Sequence, residues 1–208
     1  VTATPLNSVS CSGNSVILTA SGASTYTWSA NAGGLTTASV TVSPTSSSIY
    51  TVTGANGICT NTATVAATIV TPEIPNICMV SSDSLVVNDS TRYNFIFWDK
   101  TLYLNVDSFI VHREISTNTY VRIGAVSKDS LSVYIDTARS IGPANGNPNI
   151  GAYRYKLQIR DTCGAYSPLS PYHNSVYFID LFNGTFTWNT YLVEGQSTPV
   201  TTFDLVRD

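Results

Sequence analysis

Between Ser15 and Val70, apolar and polar residues alternate with a period of two in five stretches: SVILTA, TYTWS, ASVTVS, IYTVTG and TATVAATIV. Side chains on a strand point alternately to opposite faces, so each stretch predicts a strand with one buried and one solvated face. The connecting pieces SGAS, ANAGG, PTSSS and ANG are short and rich in turn formers. Such turns join antiparallel neighbours, whereas parallel pairs need long crossovers. Six further stretches continue the pattern: ICMVSS, YNFIFWDK, DSFIVHRE, TYVRIGAV, LSVYIDT and AYRYKLQIRD. No window with helical periodicity and caps competes with them. The reading is an all-β chain of antiparallel β-sandwiches in tandem.

Charge sharpens the boundaries. Glu73 is the first charged residue of the chain and falls in TPEIPN, whose two prolines mark a linker. We therefore expect a first domain over residues 1–72 and a second over 73–174. The first has no carboxylate, lysine, arginine or histidine. It cannot supply an acid/base pair, a hard-cation cage or a phosphate clamp, and is left with the roles of scaffold or neutral binding surface. The whole chain has a net charge of -3 with ten scattered basic residues, a poor match to nucleic acid. No apolar run reaches the roughly 18–20 residues that span a bilayer. Four cysteines among few lysines and glutamates fit an exported protein, extracellular or on the cell surface.

The end of the chain repeats its middle. FIFWDK and DSFIVHRE return as TFTWNT and TTFDLVRD, setting Trp98 against Trp188, Phe109 against Phe203 and Arg113 against Arg207. Residues 175–208 then read as the first strands of a further, incomplete module, either cut short or completed by a partner chain.

CSGNSVILTASGASTYTWSA followed by SVTVSPTSSSIYTVTGANGICTNTATV resembles the Ig-like, PKD-like repeats of large secreted surface proteins from gliding bacteria that use type IX secretion. Residues 77–208 resemble fibronectin type III modules of the same class. They share the Trp98 strand, DSFIVHRE, YVRIGAVSKDSLSVYIDT, AYRYKLQI with Tyr153 and Tyr155, and DTCGAYSPLSPYH. The resemblance implies an Ig-like module, a type III-like module and a partial one. It also implies a non-catalytic spacer that extends or presents a distal function, with neighbouring modules of the same long chain as its partners. An adhesin or carbohydrate-binding module using loops such as SIGPANGNPNIG is the alternative; accessory domains of a secreted hydrolase are a third class. Type III topology puts the start of its first strand and the loop after its sixth at one end, which implies a Cys78–Cys163 disulfide. The Ig-like pattern carries both Cys11 and Cys59, which suggests pairing. Its plain topology nonetheless separates them unless residues 9–14 fold back along the sheet. Short Asp-Ser/Thr-apolar motifs resemble O-glycosylation signals of these bacteria and nominate Ser84, Ser90, Ser130 and Thr137.

Candidate chemistry concentrates in RDTCGAYSPLSPYH, where Asp161, Cys163 and His173 lie close in the chain. A Cys/His pair needs hydrogen-bond reach and an environment that stabilises thiolate. Alternation instead places Cys163 in a loop after a strand and His173 beyond SPLSP, so we expect connection rather than catalysis. His112 reads as a surface strand residue, and no G-x-S-x-G elbow supports a hydrolase; no catalytic residue and no cofactor are expected. No C-x-x-C spacing makes a zinc site, and Asp83, Asp89, Asp99 and Asp107 lack calcium-loop spacing, so no metal is expected. Trp28, Trp98 and Trp188 fall in alternating strands and read as core. Tyr50 and Tyr153 open their strands as corner tyrosines, while Tyr166, Tyr172 and Tyr191 are the exposed aromatics open to a ligand.

Overall fold

The computed structural model describes residues 1–5, 9–84, 92–137, 146–181, 185–198 and 200. The chain divides into two compact units, Val1–Thr71 and Pro72–Asp208. The first contains β1 (Thr2–Pro5), β2 (Val9–Ser10), β3 (Val16–Ser21), β4 (Thr25–Trp28), β5 (Ser39–Val42), β6 (Ser48–Asn56) and β7 (Cys59–Ile69). They form two sheets, ordered β1-β3-β5 and β2-β7-β6-β4. On β3, Val16, Leu18 and Ala20 are buried while Ile17, Thr19 and Ser21 face out. Trp28, Tyr50, Val52, Val65 and Ala67 meet them from the other sheet. Each large buried side chain contributes about 1.5–3 kcal/mol, and a slip of one residue would turn the whole set to solvent, which fixes the register. Gly57 and Ile58 close the β6–β7 hairpin between Asn56 and Cys59, with Gly57 at φ 62°, as a two-residue turn requires.

The second unit is built from β8 (Ile77–Ser84), β9 (Arg92–Trp98), β10 (Val106–Ser116), β11 (Thr119–Ser127), β12 (Val133–Asp136), β13 (Arg154–Asp161) and β14 (His173–Asn174). One sheet runs β12-β9-β8 and the other β11-β10-β13-β14. Ile96 and Trp98 of the first sheet pack on Phe109, Val111, Tyr155, Leu157 and Ile159 of the second, with the Trp98 ring 5.3 Å from Phe109.

Among the described residues, β14 pairs with β13 at Arg154 and Tyr155 alone, which leaves much of the edge of β13 without a regular strand. SPLSP closes that edge in another way. The Ser167 N–H donates to the Ile159 carbonyl (2.9 Å), and the Ile159 N–H donates to Ser167 Oγ (3.0 Å). Ser170 makes the same reciprocal pair with Leu157 (2.8 and 2.8 Å), and Ser175 with Tyr153 (2.7 and 2.9 Å). Pro168 and Pro171 lack the N–H of a ladder, so the neighbouring hydroxyls accept where a strand carbonyl would. The three serines are 3%, 1% and 0% exposed. Their burial is tolerable because every N–H they face is satisfied.

Residues 175–208, read from the sequence as opening a further module, fall within the second compact unit. There β15 (Phe178–Asp180) and β16 (Phe186–Trp188) pair with Phe178 opposite Trp188, as Ile77 stands opposite Trp98 in β8–β9. The likeness of the two segments thus extends to register, but not to burial. Trp98 is 4% exposed beneath Phe109, whereas Trp188 is 43% exposed, contrary to its expected place in a core. The following stretch, Asn189–Gln196, turns back along β14 as a strap. The Asn174 N–H donates to the Leu192 carbonyl (3.1 Å), the Glu194 N–H to the Tyr172 carbonyl (2.9 Å), and Lys156 pairs with Glu194 (2.6 Å).

Candidate functional site

Asp161 ends β13 and is buried, and its Oδ1 accepts the N–H groups of Cys163 (2.9 Å) and Ala165 (2.8 Å). Gly164, at φ 82°, completes this turn, and its N–H bonds the Asp161 carbonyl. The carboxylate therefore shapes a loop. His173 lies opposite Tyr155, six residues back along β13, which separates it from the Cys163 turn by about 20 Å. The three residues that adjoin in sequence are not brought together, and Cys163 is disulfide-bonded.

The cysteines correct the expected pairings. Cys11 and Cys163 are each engaged in a disulfide, while Cys59 and Cys78 are exposed free thiols, so neither Cys78–Cys163 nor Cys11–Cys59 is formed. Residues 9–10 do fold onto the sheet, but in parallel with the far end of β7, Ser10 opposite Ile69. Cys59 opens that strand ten residues earlier, about 33 Å away, far beyond the roughly 7 Å that a disulfide spans. Cys78 sits at the register shift between Ile77 and Met79 and lines a hollow of about 470 Å³ with Met79, Val80 and Tyr191. Its thiol is free, and Tyr191 shares the hollow with it.

The two histidines are engaged differently. His112 faces outward on β10 with Nε2 3.2 Å from Gln158 Oε1, between Arg122 and Lys156 on the flanking strands. Burial lowers its pKa, helped by Arg122 and opposed by the Gln158 bond. His173 is 9% exposed, with Nδ1 2.8 Å from the Tyr191 hydroxyl, and burial lowers its pKa as well.

A constellation missed in the sequence lies inside the second sandwich. Arg113 Nη1 donates to Asp136 Oδ2 (2.6 Å), and the Tyr155 hydroxyl donates to the same oxygen (2.7 Å). Asn94 Nδ2 donates to the Tyr155 oxygen (2.9 Å), and Ser82 Oγ donates to Asn94 Oδ1 (2.7 Å). Burial first, then the neighbouring Asp136, pushes the Tyr155 pKa well above 10.0. Gly146 closes the top at φ 69°, where a Cβ would stand 1.8 Å from Arg113 Nη1. Arg113, Asp136, Tyr155 and Asn94 are at most 1% exposed, so the network joins β9, β10, β12 and β13 without meeting solvent. Its signal was the alternation itself: the rule that turns His112 outward turns Arg113 inward.

Among the described residues, no group of three His, Cys, Asp or Glu side chains is placed to hold a metal ion. Asp99 is taken by the Thr101 N–H and hydroxyl, and Asp107 by Arg160. The side chain of Asp83 and all of Asp89 lie outside the described residues. Of the aromatics nominated for a ligand, Tyr166 is 54% exposed, Tyr172 lies under the Arg154 guanidinium (4.5 Å), and Tyr191 is partly buried against the core. Of the nominated glycosylation positions, Ser130 and Thr137 are exposed; Ser90 and the Ser84 side chain lie outside the described residues, as does the first half of SIGPANGNPNIG. On the first unit, Thr27, Thr53 and Thr62 stand side by side across β4, β6 and β7, with Thr51 beside Thr64 in the next row. Sheet geometry spaces these rows about 6.7 Å apart and the columns about 4.8 Å apart, giving a charge-free array of hydroxyls and methyls.

No helix among the described residues is long and apolar enough to cross a membrane. No protein-family model matches the chain, and no curated protein matches it either. Among solved structures, the chain is similar to the crystal structure of a beta-1,2-glucanase from Parabacteroides distasonis, at 12% identity and a TM-score of 0.30. The match covers 69% of this chain and 17% of that one.

Proposed function

We propose that this chain is a non-catalytic structural segment of an extracellular or cell-surface protein, which extends or presents a function located elsewhere. One observation carries the reading: the side chains that resemble a catalytic set are engaged in holding the fold. Asp161 caps a turn, Cys163 is oxidised and His173 anchors the strap. The Arg113, Asp136 and Tyr155 network is sealed from solvent. A disulfide suits an oxidising environment and limits unfolding there. The finer reading is an Ig-like module followed by type III-like modules, with residues 175–208 opening another and sugar accepted at exposed Ser130 or Thr137. Stretching single molecules tests the role: a spacer resists force and then lengthens in discrete unfolding steps, with no turnover in a panel of glycoside and peptide substrates. A chain that extends without such steps, or one that turns a substrate over, contradicts it.

The threonine array favours a second reading, an adhesive module for a neutral glycan. Saturable binding on a glycan array, lost in Thr53→Lys and Thr62→Lys, would establish it; a blank array at high protein concentration would remove it.

A further inference from the structure

Among the described residues, β8 is the outer strand of its sheet, with β9 as its one strand neighbour. On its open side the Val80 N–H donates to the Tyr191 hydroxyl oxygen (3.0 Å), and that oxygen lies 2.8 Å from His173 Nδ1. One phenol thus joins β8, β14 and the strap. The Tyr191 oxygen accepts the Val80 N–H, and the latch requires its own proton to be donated to Nδ1, the unprotonated nitrogen of a neutral His173 imidazole.

We propose that His173 and Tyr191 form an acid-sensitive latch, in which protonation of His173 releases the strap Asn189–Gln196 and bares the edge of β8 beside Cys78 and Met79. With Nδ1 protonated, two N–H donors converge on one phenolic oxygen, and the hydroxyl proton loses its acceptor. Among the described residues, no free carboxylate compensates the imidazolium. On β13, Tyr155 is bonded to Asp136 and Asn94, Arg154 lies between Glu114 and the Tyr172 ring, and Lys156 is paired with Glu194. On the strap, the Glu194 carboxylate also takes the Tyr172 N–H (3.0 Å), and on β8 the described titratable side chain is the Cys78 thiol. Burial alone depresses the His173 pKa, with no charged group contributing. The neutral form is therefore the folded form, and the latch is closed above pH 6.5, the ordinary value for the imidazole, and weakens as pH falls below it. A bared strand edge presents unpaired N–H and carbonyl groups to an extended peptide, a property beyond that of an inert spacer.

Hydrogen exchange on the full chain, corrected for the intrinsic pH dependence of exchange, tests this. Protection of the Val80 and strap peptides should fall between about pH 7.5 and about pH 5, by up to a ceiling of about thirtyfold set by the ordinary imidazole pKa. His173→Gln should flatten that dependence, while His112→Gln should keep it. Corrected protection that does not change with pH in the wild type, loss of the dependence in His112→Gln, or its retention in His173→Gln would each overturn the latch. Should His173→Gln fail to fold, an NMR titration of His173 in the wild type decides: a pKa below 6.5 supports the proposal, and one at or above it overturns the proposal.

Discussion

Asp136→Asn takes one negative charge out of a site where Arg113 is 1% exposed and Asp136 is 0% exposed. The substitution is nearly isosteric, so it opens no cavity, and its whole effect is electrostatic. Arg113 would remain desolvated without its counter-ion, and the Tyr155 hydroxyl would face a neutral acceptor in place of a carboxylate oxygen 2.7 Å away. Removing one member of a buried ion pair costs about 3–5 kcal/mol, because the remaining charge keeps its desolvation penalty. In urea, with a slope of about 2 kcal/mol per molar, the unfolding midpoint of the second unit should fall by about 1.5–2.5 M. Pulsed hydrogen exchange along a urea series reads this from β10 and β13 peptides, so that the first unit does not enter the measurement. The double variant Arg113→Met/Asp136→Leu should recover most of the loss, since removing both charges also removes both desolvation penalties. A midpoint shift below about 0.5 M for Asp136→Asn, or a double variant no more stable than the single one, would refute the reasoning.

Ser170→Ala leaves the buried Leu157 N–H without an acceptor and should destabilise the second unit by about 1–3 kcal/mol in the same urea assay, with Ser167→Ala similar at Ile159. Gly146→Ala drives a Cβ into Arg113 Nη1 at a backbone angle unsuited to alanine, and should lower the thermal midpoint by more than Ser170→Ala does. Both histidines have pKa values held below 6.5, chiefly by burial. Their contribution to stability is therefore complete above that pH and is lost as pH falls through the folded values. Calorimetry should show the thermal midpoint falling from about pH 7.5 to about pH 5, and less so in His112→Gln/His173→Gln.

The strands were legible because period-two patterning is local: each of the eleven quoted stretches forms a strand, from SVILTA at β3 to AYRYKLQIRD at β13. TATP at β1 and VS at β2 were not, being too short to show a period, and their pairing depends on strands far along the chain. Alternation also placed His112 outward on β10, whereas the partner of inward Arg113 could not be read, because Asp136 is brought to it only by the packing of two sheets. SPLSP advertised a break in regular structure. That its serines would seal the edge of β13 depends on which strand lies alongside. The same limit misled the cysteine pairings: residue order along an assumed topology said which end each occupies, but not the register shift at Cys78 or the direction of β2.

The cysteine at the centre of the tempting Asp161, Cys163 and His173 set offers the most direct check on a structural role. Alkylation of the unreduced protein at neutral pH, followed by peptide mapping, should label Cys59 and Cys78 and leave Cys11 and Cys163 unlabelled until a reductant is added. Labelling of Cys163 without reductant would mean that a thiol stands where a disulfide holds the fold, and the account of this stretch as connection rather than chemistry would fail.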